Sequence, residues 1–146
     1  MLIDDIKAEE GFSGTVYVCS EGFDTVGYGS RMPITKEEAE LLLEYRLKGM
    51  KAQLTGYLYD IDIKDEAWDI LFNMSYQMGV KGVLNFKNMI KALKNNDYKE
   101  ASIQMLDSLW AKQTPNRAKR LSDRMSKLWN IKWRKCNDLY LDNTNW

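Results

Sequence analysis

Glu10, Cys19 and Thr25 put a carboxylate, a thiol and a hydroxyl into one short run, EGFSGTVYVCSEGFDT, with eight residues between the first pair and five between the second. Cleaving a glycosidic bond needs a set of this kind. One group gives a proton to the leaving oxygen, a second attacks the sugar or directs water from the opposite face, and a hydroxyl can hold that water. Residue types and spacing leave a plainer alternative open, because a free cysteine is commonly a small buried hydrophobe. Histidine catalysis is closed to this chain, which has no histidine, and its two cysteines, Cys19 and Cys136, are too far apart in sequence for a usual structural zinc site. Neither a metal nor a cofactor is expected. A disulfide between the two is not expected in a cytoplasmic chain, and one formed after export would block Cys19.

The elements that must position these groups are short. LIDDIKAEE is amphipathic and reads as a helix ending at Glu10, with Gly11 as its left-handed terminator. Thr15 to Val18 is β-branched and aromatic, Ser20-Glu21-Gly22 is a turn signal, and Thr25 to Gly29 reads as a returning strand. A hairpin folded beside the helix end turns Glu10, Cys19 and Thr25 toward one cleft. After Pro33, Thr35-x-x-Glu38 is a capping box, and Ala39, Leu42, Leu43, Leu47, Met50 and Leu54 recur at helical spacing as far as Gly56.

The rest of the pattern is helical. A helix opening at Asp62 or Lys64 is apolar on nearly every side and belongs in the middle of a bundle. Asn73 and Gln77 share one of its faces, as buried amides in need of partners. Helices are expected from Val83 to about Lys94 and from Asp97 to Trp110, separated by Asn95-Asn96. Thr114 then caps a helix whose first residue is Pro115 and whose first turn holds Arg117. Trp129, Trp133, Tyr140 and Trp146 in the tail suit packing against the bundle. The fold class that follows is α+β, mostly α: one domain of two lobes. Residues 11–34 form a β-rich lobe, residues 35–55 a connecting helix and residues 56–146 a helical lobe, with the helix of residues 1–10 near the cleft.

At 146 residues and 45% apolar, the chain can build one sizeable core. Its net charge is zero, which points away from nucleic acid as the main partner. The first 60 residues carry five more acidic than basic side chains and the remainder five more basic than acidic, and that basic part suits an anionic polymer. There is no apolar run of about 18 residues, and Asp4 and Asp5 stand where a signal peptide would be basic. A monomer made in the cytoplasm, without membrane insertion, is the expectation. A substrate beyond a membrane then requires delivery.

Three ordered stretches resemble the phage-type lysozymes. The frame EG…Y…G..T.G.G is filled by Glu10-Gly11, Tyr17, Gly22, Thr25, Gly27 and Gly29; FNMSYQMG is followed by Gly82-Val83 and Phe86; and WAKQTPNRAKR runs from Trp110 to Arg120. The resemblance covers roughly residues 1–130. It implies a muramidase that hydrolyses the β-1,4 bond between N-acetylmuramic acid and N-acetylglucosamine of bacterial peptidoglycan, with inversion, in a phage endolysin released through a holin-like membrane protein to reach the periplasmic wall. Glu10 is then the general acid, Cys19 the group that orients water, Thr25 the holder of that water, and Arg117 a supporting cation reaching toward the acid. Gly29, Arg31, Tyr76, Gln77 and Gln104 become candidate substrate contacts. A lytic transglycosylase and a wall-binding protein without turnover remain alternatives.

The departures from the family pattern are specific. Cys19 stands at a position that is acidic in T-even phage members, Ser30 replaces a histidine and Arg46 the acid that pairs with it, and the stretch from Ser30 to Ile34 is shorter, without an extra loop and strand. A free thiol titrates near 8.5 against about 3.9 for aspartate. Glu21 and Asp24, if close to Cys19, raise it further, so activity is expected to climb toward alkaline pH.

Overall fold

The computed structural model describes residues 2–128. They form two compact units that meet between Arg46 and Leu47. The expected contributions of Trp129, Trp133, Cys136, Tyr140 and Trp146 lie outside the described residues.

In the first unit, α1 (Leu2–Glu10) is closed by Gly11 at φ +67°, whose N–H donates to the Lys7 carbonyl over 3.1 Å, the single bond of a left-handed cap. β1 (Ser13–Val18) and β2 (Asp24–Gly27) run antiparallel, with Tyr17 opposite Thr25 and Val18 opposite Asp24. β1 is irregular between Ser13 and Tyr17. The intervening turn is closed at both ends: the Cys19 N–H donates to the Phe23 carbonyl, and the Gly22 N–H to the Cys19 carbonyl, each over 2.9 Å. The returning strand is shorter than its sequence pattern. It stops at Gly27, and a second tight turn leads into β3 (Ser30–Arg31), which pairs Arg31 with Thr25 and Ser30 with Val26. Positive φ at Gly27 and Gly29 makes that turn.

α2 (Lys36–Tyr57) begins where the capping box predicts. The Thr35 N–H donates to Glu38 Oε2 over 2.7 Å, and the Glu38 N–H donates to Thr35 Oγ1 over 3.2 Å. Residues of α2 up to Arg46 belong to the first unit and those from Leu47 to the second.

The second unit is helical: α3 (Asp65–Leu84), α4 (Lys87–Lys94), α5 (Tyr98–Leu106), α6 (Leu109–Gln113) and α7 (Pro115–Lys127). α7 packs against α5, α6 and α3, and α4 packs against α5. Their shared interior holds Leu54, Ile70, Leu71, Val83 and Leu93 together with Met74, Met89, Met105 and Met125, all fully buried. No helix among the described residues is long and apolar enough to cross a membrane.

Several boundaries differ from the sequence pattern. α3 starts at Asp65, because Ile61 and Ile63 ahead of it are drawn into the core as an extended segment. It leaves helical geometry at Gly79 (φ 79°, ψ 162°) and resumes as far as Leu84, so Val83 lies in the last turn of one helix instead of starting another. The expected helix from Asp97 to Trp110 is two helices. Ser108 separates them, donating to the Met105 carbonyl over 2.7 Å and accepting from the Ala111 N–H over 3.1 Å. Asp97 caps α5 by accepting from the Glu100 N–H at 2.9 Å, but the Glu100 carboxylate accepts from Gln104 instead of closing the capping box. Pro115 occupies the first turn of α7 as predicted, while the Thr114 hydroxyl donates back to the Trp110 carbonyl over 3.0 Å and leaves α7 without a side-chain cap.

Candidate active site

Five of the candidate residues lie in the N-terminal unit. Glu10, the last residue of α1, reaches the second turn of the sheet. A Cβ built on Gly29 would lie 2.6 Å from Glu10 Oε2 and 2.9 Å from its Cδ, so only a glycine leaves room for the carboxylate there. The same end of α1 is joined to that turn by Phe12 and Tyr28, whose ring centroids are 5.4 Å apart, and by the Lys7 ammonium 5.6 Å from the Tyr28 centroid. Gly29, a candidate sugar contact by sequence, thus also spaces the acid against the sheet.

Cys19 and Thr25 sit at the other end of the strands. Thr25 is buried, at 2% exposure, and its Oγ1 lies 2.9 Å from the Phe23 carbonyl. Cys19 is half-buried. Its thiol is held below the ordinary value of a cysteine, first by the backbone amide of Phe23 and then by that of Glu21, with smaller help from the Thr25 hydroxyl and the charge of Arg31. Hydrogen bonds to the charged form favour that form. This corrects the expectation that Glu21 and Asp24 raise the thiol. The Glu21 carboxylate is paired with Arg31, and the amides of the turn act in the opposite sense. Thr25 has one hydroxyl proton. With Cys19 neutral, the Phe23 carbonyl takes it; the thiolate, as an anion, is the stronger acceptor.

The other four candidates lie in the helical unit. Arg117, on the first turn of α7, is fastened to α3: its Nε and one terminal nitrogen donate to Asn73 Oδ1 over 2.9 and 2.7 Å, and the same terminal nitrogen donates to the Asn73 carbonyl over 3.0 Å. Gln77 Oε1 accepts from the Trp110 indole N–H over 2.9 Å. Asn73 and Gln77 are therefore not the buried amides that the pattern of α3 suggests. Both are exposed, and their partners come from α7 and α6. Tyr76 beside them is 45% exposed. Gln104 lines a pocket of about 480 Å³ together with Asn85, Phe86, Met89, Asp107 and Trp110, where the Phe86 and Trp110 rings meet edge to face at 6.2 Å.

Sequence reasoning misses Asn73 as the anchor of Arg117, and Glu21 and Phe23 as the residues that condition Cys19. No local pattern signals the first, since 44 residues separate the partners. The turn signal at Ser20-Glu21-Gly22 marks the second without revealing its chemistry. Among the described residues no cluster of metal-binding side chains occurs.

The sequence model of the phage lysozyme family matches residues 7–127. Probable T4-type lysozyme 1 of Dictyostelium discoideum is 27% identical over an alignment 151 positions long that covers 81% of this chain and 89% of that protein. The Pre-baseplate central spike protein Gp5 of Enterobacteria phage T4 is 29% identical over an alignment 154 positions long that covers 83% of this chain and 27% of that longer protein.

Proposed function

The chain belongs to the phage lysozyme family, whose members are lysozyme-like glycosidases, and we propose that it is a muramidase acting on the β-1,4 bond between N-acetylmuramic acid and N-acetylglucosamine of peptidoglycan. The observation that carries this reading is the setting of Cys19: a thiol in the place of an acid, conditioned by two backbone amides to ionise more readily than a free cysteine, at the start of the turn that leads from β1 into the strand of Thr25. In the proposed reaction Glu10 gives its proton to the leaving oxygen. A water held by Thr25 attacks the anomeric carbon from the opposite face, and Cys19 thiolate takes the proton that the water loses. The configuration inverts, and exchange with solvent restores both groups. Arg117 is assigned the supporting cation, and Tyr76, Gln77 and Gln104 the sugar contacts.

Clearing of stripped bacterial walls by the parent, Glu10→Gln and Cys19→Ser, with released fragments analysed by mass spectrometry, tests the proposal. Reducing ends from the parent and losses of about a hundredfold or more in both variants are expected. Anhydro ends would make the protein a transglycosylase, and binding without cleavage a wall-binding module. An active Cys19→Ser would remove the thiol from the mechanism. We further propose that the protein is a monomeric endolysin reaching the wall through a holin-like membrane protein. Expression with and without such a protein should separate lysis from silent accumulation.

A further inference from the structure

Arg31 has an arrangement that a sugar contact does not require. It stands in β3 directly across from Thr25 and turns back on the segment between β1 and β2, ten residues earlier in the chain. Its guanidinium pairs with the Glu21 carboxylate and lies 4.4 Å from the centroid of the Phe23 ring. Glu21 and Phe23 are the two residues whose backbone amides act on the Cys19 thiol. One planar side chain thus grips both donor-bearing residues, by charge on one side and by its flat face on the other.

We propose that Arg31 is a positioning residue: it clamps the turn between β1 and β2, which is bonded to the Cys19 backbone through Phe23 and Gly22, and so fixes the surroundings of the thiol. The proposal rests on the reading of Cys19 as the group that takes a proton from water. Stability is a poor reason for the clamp, because the side chains of Arg31 and Glu21 are 56% and 61% exposed and an ion pair so open to water contributes little. The turn has more to gain. Residues 20–23 are all exposed, and their backbone is tied down only where Cys19 bonds Phe23 and Gly22. Arg31's own charge favours the thiolate too, but it is the smallest of the influences on Cys19, so holding the turn outweighs acting as a distant cation. The other charged groups of the unit facing this region are Asp24 at the start of β2, opposite Val18, and Glu10, which abuts Gly29 in the next turn.

The pH dependence of Cys19 alkylation by iodoacetamide, in the full chain carrying Cys136→Ser, reads the thiol directly and needs no turnover. Arg31→Ala is expected to move the midpoint toward alkaline pH and cut the thiolate fraction at neutral pH by about threefold or more, the change that half a pH unit produces. Phe23→Leu leaves every charge in place and should shift the midpoint in the same direction. Arg31→Lys, which keeps the ion pair but loses the flat stack, should restore only part of the effect. An unchanged midpoint in Arg31→Ala overturns the proposal. So does a shift in Arg31→Ala that Arg31→Lys fully rescues while Phe23→Leu has none, since charge alone would then account for it. Circular dichroism confirms folding of each variant. A parent inactive on walls would remove the lytic reading, while the alkylation series would still decide on Arg31.

Discussion

Replacing Gly29 by alanine separates the position of the acid from the stability of the strand that carries it. Two effects follow from the structure. The backbone at φ +73° resists a Cβ, at a cost of about 1–2 kcal/mol. The Cβ would also lie 2.6 Å from Glu10 Oε2, where ordinary contact begins at 3.4 Å, so the carboxylate must retreat by about 0.8 Å. The obstructing atom is the far end of a flexible side chain, so the contact itself adds little to the folding cost. Its effect falls on catalysis, where a misplacement of about 1 Å costs about a hundredfold. Gly27 provides the matched control: its φ is +70° and a Cβ there meets nothing within 4 Å. Urea unfolding should show both variants destabilised by similar amounts, while kcat on solubilised wall fragments should fall about thirty- to a hundredfold in Gly29→Ala and less than about threefold in Gly27→Ala. Equal losses of kcat in the two variants, or full activity in Gly29→Ala, would refute the placement of Glu10 as the proton donor.

Other predictions concern the thiol and the helical unit. Because the turn amides lower the Cys19 thiol, the acidic limb of kcat/KM against pH should lie below about 8.5, the value of a free thiol, and Cys19→Asp should move it further toward acid with activity retained. A limb at or above that value in the parent contradicts thiolate chemistry. Asn73→Ala removes two of the three hydrogen bonds that hold Arg117, so a stability loss of about 1 kcal/mol is expected, together with a lower kcat at little-changed KM. Normal kcat would dissociate Arg117 from turnover. Ser75 is fully buried and its hydroxyl has no partner among the described residues, so Ser75→Ala should be neutral or stabilising by about 1 kcal/mol in urea unfolding. A loss of more than about 1 kcal/mol would reveal a hydrogen bond at that hydroxyl.

Features set by neighbours in sequence were legible before the structure. Gly11 after Glu10 and the Thr35–Glu38 box determine two helix ends through bonds spanning four residues or fewer, and both ends fall where the residues predict. The break between α5 and α6 escapes the same reasoning, because Asp107-Ser108 interrupts an otherwise continuous apolar rhythm and only the double use of the Ser108 hydroxyl makes it a boundary. Asn73 and Gln77 show the second limit. Their spacing on one face of α3 is readable, yet their exposure and their bonds to Arg117 and Trp110 depend on elements 44 and 33 residues away. At Cys19, the charges of Glu21 and Asp24 suggest the wrong direction, since the deciding groups are main-chain amides with no signature in residue type.

The floor of the pocket beside Gln104 is Met89, a fully buried thioether, and three further methionines share the same interior. An unbranched side chain with three rotatable bonds refits itself around altered neighbours where a branched one would leave a void. Substitutions around the rim, at Asn85, Asp107 or Gln104, can therefore be absorbed from below at little cost to the fold. Such a surface can be remodelled one residue at a time, with the interior acting as the yielding layer beneath it.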